Sequence, residues 1–193
     1  MKNEISELIS RFLTLDEDQT MAIIECIPVR QYEKGHVLLR DGQIATESYF
    51  NIKGLVRQYY IIDGEERTTR FFVEDEPIAS MSSYLSKTPA NHFLSCVEDT
   101  TLAVLTPERE QELFKRVPKF ESLCRVSMEE DFGKQQQMLA AHITSSPEER
   151  YLKLLEEEPD LIQRVPQYHL ASYIGVKPES LSRIKKRVSR QTN

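Results

Sequence analysis

The spacing of apolar positions divides the chain into three stretches. In the first thirty residues Ile5, Leu8, Ile9 and Phe12 recur at helical spacing, and "TLDEDQTMAIIECI" starts a second helix with Thr14 or Asp16 as its cap. From Val29 to about Thr106 the period shortens. The runs "HVLLR", "SYFNI", "LVRQYYII", "RTTRFFV", "FLSCVE" and "TLAVL" read as short strands, parted by turn signals at Gly35, Asp41-Gly42, Lys53-Gly54 and Asp63-Gly64. Short strands at even spacing between tight turns are the pattern of an antiparallel barrel or jelly roll. After Pro107 the helical period returns, with a short helix, a break at Pro118 and then a long helix. Along it Phe120, Cys124, Met128, Phe132, Gln135, Leu139 and Ile143 advance in steps of four or three and share one face. Such a stripe either packs on the barrel or pairs with the same helix of a second subunit.

The next helix announces itself by its cap. Ser146 precedes Pro147 at the first helical position, and Glu149 completes a capping box. A domain boundary is expected near 143–146, which gives an N-terminal domain 1–117, a long helix 118–144 and a C-terminal domain 145–193. In that last domain a helix beginning at Pro166 turns Leu170, Ala171 and Ile174 inward and ends at Gly175, where a positive φ is wanted. A second helix follows with Pro178 at its start. Leu181, Ile184 and Val188 fall on one side of it, and Glu179, Arg183, Lys186 and Arg190 almost opposite. Two helices joined by so short a turn cross steeply and need a small residue at the crossing, which Ala171 supplies. The pattern is that of a helix-turn-helix. Docked in a major groove, it presents Glu179, Ser180 and Arg183 to base edges, because Arg donates twice to guanine and Glu accepts from cytosine. Gln167, Tyr168, Lys177, Lys185 and Lys186 are placed for phosphates, which position without specifying.

Charge changes this picture only by strengthening it. The 193-residue chain has a formal net charge of -6, yet from Pro166 onward six bases stand against the single Glu179. An acidic body with a basic C-terminal end suggests a polyanion as partner there. The alternative is an ordinary helical hairpin with a solvated basic face. A sensor module that acts through a protein partner and never touches DNA is the rival, which an apolar patch in place of that face would favour. Enzyme readings find little support. His36, His92, His142 and His169 are scattered, without the paired histidines of a barrel metal site, and no G-x-S-x-G, H-E-x-x-H or Walker-type phosphate loop occurs. Cys26, Cys96 and Cys124 lie far apart, which argues against a disulfide framework or an iron–sulfur cluster and for a reducing cytoplasm. The N-terminus alternates acids with apolar residues, unlike a signal peptide, and no apolar run approaches the roughly 18–20 residues that span a bilayer. No cofactor and no membrane association are expected.

Barrel, long helix and helix-turn-helix in that order resemble the Crp–Fnr family of bacterial transcription regulators. "YEKGHVLLRDGQIATESYFNIKGLVRQYYIIDGEERTTRFF" is similar to the family's cyclic-nucleotide-binding-type β-roll, and "HLASYIGVKPESLSRIKKRV" to its DNA-binding motif. The resemblance implies an α+β chain: an antiparallel β-roll (jelly roll), a long dimerisation helix and a C-terminal helix-turn-helix. It implies a non-enzymatic homodimer on double-stranded, two-fold-related DNA, with RNA polymerase and a small-molecule effector as further partners. It raises the subunit seam above core packing for the long-helix stripe. Two departures matter. "EEEPDLIQRVPQ" leaves no room for a hairpin before the motif, so a reduced DNA-binding domain is expected. The nucleotide-binding members also hold the ribose with a Gly-Glu pair and the cyclic phosphate with an Arg followed by a small hydroxyl residue. Here Ala79-Ser80 and Ala90-Asn91 stand near those places, and no arginine occurs from Phe71 to Pro107. Lys87 is the nearest base. A buried anion needs a positive partner, so cyclic AMP is not expected to bind. Ser80, Ser82, Asn91 and His92, with Arg70 approaching from the preceding strand, are the candidates for a different polar effector, and a ligand-free fold is the alternative.

Overall fold

Asp16 caps the second helix from both directions: its side chain accepts from the Gln19 N–H, and the Gln19 side chain answers its backbone. In this computed structural model, which describes residues 4–191, helices α1 (Glu4–Ser10) and α2 (Glu17–Cys26) lead into β1 (Val29–Tyr32). Then come β2 (Val37–Leu39), β3 (Ser48–Lys53), β4 (Val56–Ile62), β5 (Glu65–Phe72) and β6 (Pro77–Ile78), a short α3 (Met81–Ser86), β7 (Phe93–Cys96) and β8 (Thr100–Leu105). Every strand run expected from the sequence is present. Strands β1 and β6 and helix α3 are additional to the expected runs. The strand order is β1-β8-β3-β6 in one sheet and β2-β7-β4-β5 in the other. Antiparallel registers such as Val29↔Ala103 and Tyr49↔Val104 align the first.

The glycine turns do what their positions demanded. The β4–β5 loop is Asp63-Gly64, both at positive φ (52° and 78°), as a two-residue hairpin of the primed type requires. Gly54 at φ 104° follows an irregularity in the β3–β8 register, and a Cβ there would lie 2.7 Å from the backbone of Asp99 and Thr100. That position admits no side chain.

The remaining helices are α4 (Pro107–Arg116), α5 (Pro118–Thr144), α6 (Pro147–Glu157), α7 (Pro159–Arg164), α8 (Gln167–Tyr173) and α9 (Pro178–Gln191). Helix α7 occupies the stretch judged too short for a hairpin. Pro166 caps α8 instead of opening it, because its fixed φ comes with an extended ψ of 140°.

The described residues form two compact units. One holds the chain up to Val56 with Phe72–Phe132, and the other holds Arg57–Phe71 with the chain from Gly133 onward. The first has two apolar clusters. One fills the β-roll around Val56, Ile78, Leu94 and Leu102; the other joins Ile5, Ile23, Leu113, Val117 and Phe120. The long-helix stripe is accordingly of two kinds. Phe120 is buried and Cys124 packs on that second cluster, whereas Met128, Phe132, Gln135, Leu139 and Ile143 are exposed. In the second unit Tyr151, Leu154, Leu161, Leu170, Ala171, Ile174, Leu181, Ile184 and Val188 are buried.

Candidate nucleic-acid interface and effector cavity

Helix α9 is amphipathic in the sense its sequence demanded. Leu181, Ile184 and Val188 are buried, while Glu179, Arg183, Lys186 and Arg190 stand in solvent. Ala171 is fully buried on α8, and Gly175 takes φ 78° in the turn between the two helices. Arg183 lies along the helix with Nη2 donating to Ser180 Oγ at 3.0 Å, so two of the three candidate base-reading residues are coupled. Gln167, Tyr168, Lys177 and Lys186 are exposed and Lys185 is half-buried. Arg187 is committed elsewhere. Its Nε donates to Glu148 Oε1 at 2.8 Å and its Nη2 to Oε2, a forked pair that ties α9 to the start of α6.

A second set of contacts escaped the sequence reading. Arg57, on β4, is buried; its Nη1 donates to His169 Nδ1 at 2.6 Å and its Nη2 to Glu66. The guanidinium carbon lies 3.9 Å from the Tyr59 ring centroid. With Nδ1 accepting, His169 is neutral. Burial first, then the Arg57 charge, lower its pKa to about 4 against a smaller opposing pull from Glu66. Beside it Ser172 Oγ accepts from the Thr68 N–H and donates to the Glu66 carbonyl, both at 2.9 Å. The first helix of the helix-turn-helix is thereby hydrogen-bonded to the β4–β5 hairpin. A charged residue, Arg57, within the strand run "LVRQYYII" was the one signal in the sequence.

In the β-roll a cavity of about 300 Å³ is lined by Leu38, Leu39, Gln43, Ile44, Ala45, Thr46, Glu47, Tyr49, Ser80 and Leu94. Its one charged lining residue is an acid. Glu47 accepts from Arg30 Nη1 at 2.9 Å and from the Tyr49 hydroxyl at 3.0 Å, and burial, followed by the Glu47 charge, pushes the Tyr49 phenol up. Of the five effector candidates Ser80 alone lines this cavity. Ser82 and Asn91 are exposed, and buried His92 faces Asn91 Oδ1 at 3.2 Å. Arg70 is buried on β5 in the other unit. Lys87 ends α3 at φ 54°, exposed, with its ammonium over the Tyr84 ring. Among the described residues no group of histidines, cysteines and carboxylates is arranged to hold a metal ion, and no helix is long and apolar enough to cross a membrane.

Comparison with known proteins agrees with this architecture. Residues 29–117 match the cyclic nucleotide-binding domain family. The c-di-GMP-responsive global regulator CLP of Xanthomonas campestris superposes with a TM-score of 0.69 at 20% identity, covering 92% of this chain and 93% of that one. A CooA mutant from Carboxydothermus hydrogenoformans gives 0.68 at 14% identity over 99% and 86% of the two chains. FixK2 from Bradyrhizobium japonicum gives 0.66 at 15% over 86% of each. The fold is that of the Crp–Fnr regulators. No curated protein sequence matches the chain. Ala79-Ser80 lies between β6 and α3, and the cavity beside Ser80 has the Glu47 carboxylate in its lining.

Proposed function

We propose that this chain is a homodimeric, sequence-specific DNA-binding transcription regulator of the Crp–Fnr type, active in the cytoplasm, whose β-roll does not bind cyclic AMP. The observation that carries the reading is α9. Its apolar residues are wholly used in packing, so the exposed Glu179, Arg183, Lys186 and Arg190 face takes no part in the core, and it follows a glycine turn of helix-turn-helix geometry. In this reading Glu179, Ser180 and Arg183 meet base edges, and Gln167, Tyr168, Lys177, Lys185 and Lys186 meet phosphates. The exposed Met128, Phe132, Leu139 and Ile143 on α5 supply the subunit seam. The regulator contacts RNA polymerase and answers either to no ligand or to one of different chemistry from a cyclic nucleotide. The cavity supports this last point, since no base is among its lining residues and its Glu47 carboxylate is already paired with Arg30, so a buried anion there would find no cation to replace its water.

The test is titration of the full-length protein against genomic fragments at two salt concentrations. Tight binding to a subset of fragments, weakening steeply with salt, is expected. Absence of salt-dependent binding would turn the assignment to a sensor that works through a protein partner.

A further inference from the structure

Arg150 stands in the first turn of α6, held there by the cap: its own N–H donates to the Ser146 carbonyl at 3.0 Å. From this point its guanidinium reaches two other helix ends. Nη1 donates to the carbonyl of His142 at 3.1 Å, in the last turn of α5, and to that of Ser145 just beyond it. Nε and Nη2 both donate to the Ile174 carbonyl, at 3.1 and 2.8 Å, and Ile174 is the C-cap of α8. Carbonyls in these places lack intrahelical partners and carry the partial negative charge of a helix C-terminus. One cation therefore satisfies the end of the long helix and the turn of the helix-turn-helix together. The fit is close, because a Cβ on Gly175 would lie 3.3 Å from Nη2.

We propose that Arg150 is a positioning residue that sets the recognition helix relative to the end of α5, and so sets the half-site spacing the protein accepts. The proposal rests on the DNA-binding reading above. In a dimer joined along α5, the distance and rotation between two α9 helices depend on how rigidly each C-terminal domain is fixed to its own α5. A planar guanidinium with directed donors can hold both ends at once, whereas an ammonium of equal charge cannot reproduce that fork. Loss of the fork frees the domain to swivel without removing any group that touches DNA.

The experiment compares the full-length protein with Arg150→Lys and Arg150→Gln on duplexes carrying the selected half-sites at their native spacing and with one or two base pairs inserted. The unaltered protein should reject the inserted sites strongly. Both variants should lose about tenfold of that discrimination, within the usual range of coupling between sites, with the salt dependence on the native site unchanged because the phosphate contacts are unchanged. Spacing discrimination equal to that of the unaltered protein in both variants would overturn the proposal. So would loss of cooperative melting in the charge-conserving Arg150→Lys, which would make Arg150 a folding residue. Failure of the unaltered protein to bind DNA overturns the functional reading first, and is seen before any variant is compared.

Discussion

The β-roll cavity and helix α9 are furnished in opposite ways. The cavity has a carboxylate and no base among its lining residues, and its polar groups are already engaged with one another through Glu47, Tyr49 and Arg30. Helix α9 keeps Arg183, Lys186 and Arg190 in solvent, while Arg187 pairs with Glu148 of α6. The β-roll thus has the fold of a cyclic nucleotide-binding domain with an acid in its cavity, while α9 presents bases to solvent. Shape and charge are separable, since the barrel's strands need only alternating burial, and an anion site needs donors at particular points.

The comparison breaks most severely if α9 is left undoubled. Leu139→Glu with Ile143→Glu places charges in the exposed stripe of α5, and should give a monomer by sedimentation that has lost about a hundredfold or more in affinity for a two-fold site. A dimer that binds as before would remove the seam. Next in size is Arg183→Ala, expected to cost about 1–3 kcal/mol and to relax selection at one base pair per half-site, while Lys186→Ala weakens binding to all sequences and lowers the salt slope by about 1. Competition titrations with single-base variants of the site distinguish the two outcomes, and equal effects from the two substitutions would contradict the proposed docking.

A smaller effect concerns the unit that holds Arg57–Phe71 and the chain from Gly133 onward. His169 is held at about 4, below its ordinary 6.5, so between these values the unfolded chain takes a proton that the folded chain refuses. Stability should therefore fall as pH drops from 6.5 towards 4, with Arg57 and Glu66 as the charged groups facing the ring. Urea midpoints across this range should change less in His169→Gln than in the unaltered protein; identical slopes would show that the Arg57 contact is not formed in solution. Buried His92 shifts in the same direction and leaves a residual slope in the variant. The smallest expected effect is none at all. Excess cyclic AMP should leave the melting temperature unchanged, whereas a ligand at a hundred times its dissociation constant stabilises by about 2.7 kcal/mol. A clear rise would mean that the cavity accepts a cyclic phosphate despite Glu47.

The sequence by itself determined the elements whose cause is local. A glycine at a forced positive φ, a capping box four residues long or an apolar face repeating every turn is complete within a few positions, so the β4–β5 turn, the cap of α6 and both helices of the helix-turn-helix were legible. Pro166 was misplaced by one position because its ring sets φ but leaves ψ to the surrounding chain. Only the tertiary structure decided which partners distant residues would find. Arg57 and His169 are 112 positions apart, and the composition of neither neighbourhood announces the other. The same holds for the clamp of Arg150 on Ile174 and for the cavity wall, where Ser80 meets Glu47 and Tyr49 and the other effector candidates do not. It also holds for the stripe on α5, buried at Phe120 and exposed from Met128 onward, because one helical period serves both a core and a free face. Periodicity reports that a face is apolar; what lies against that face is fixed by the packing of segments far away in the chain.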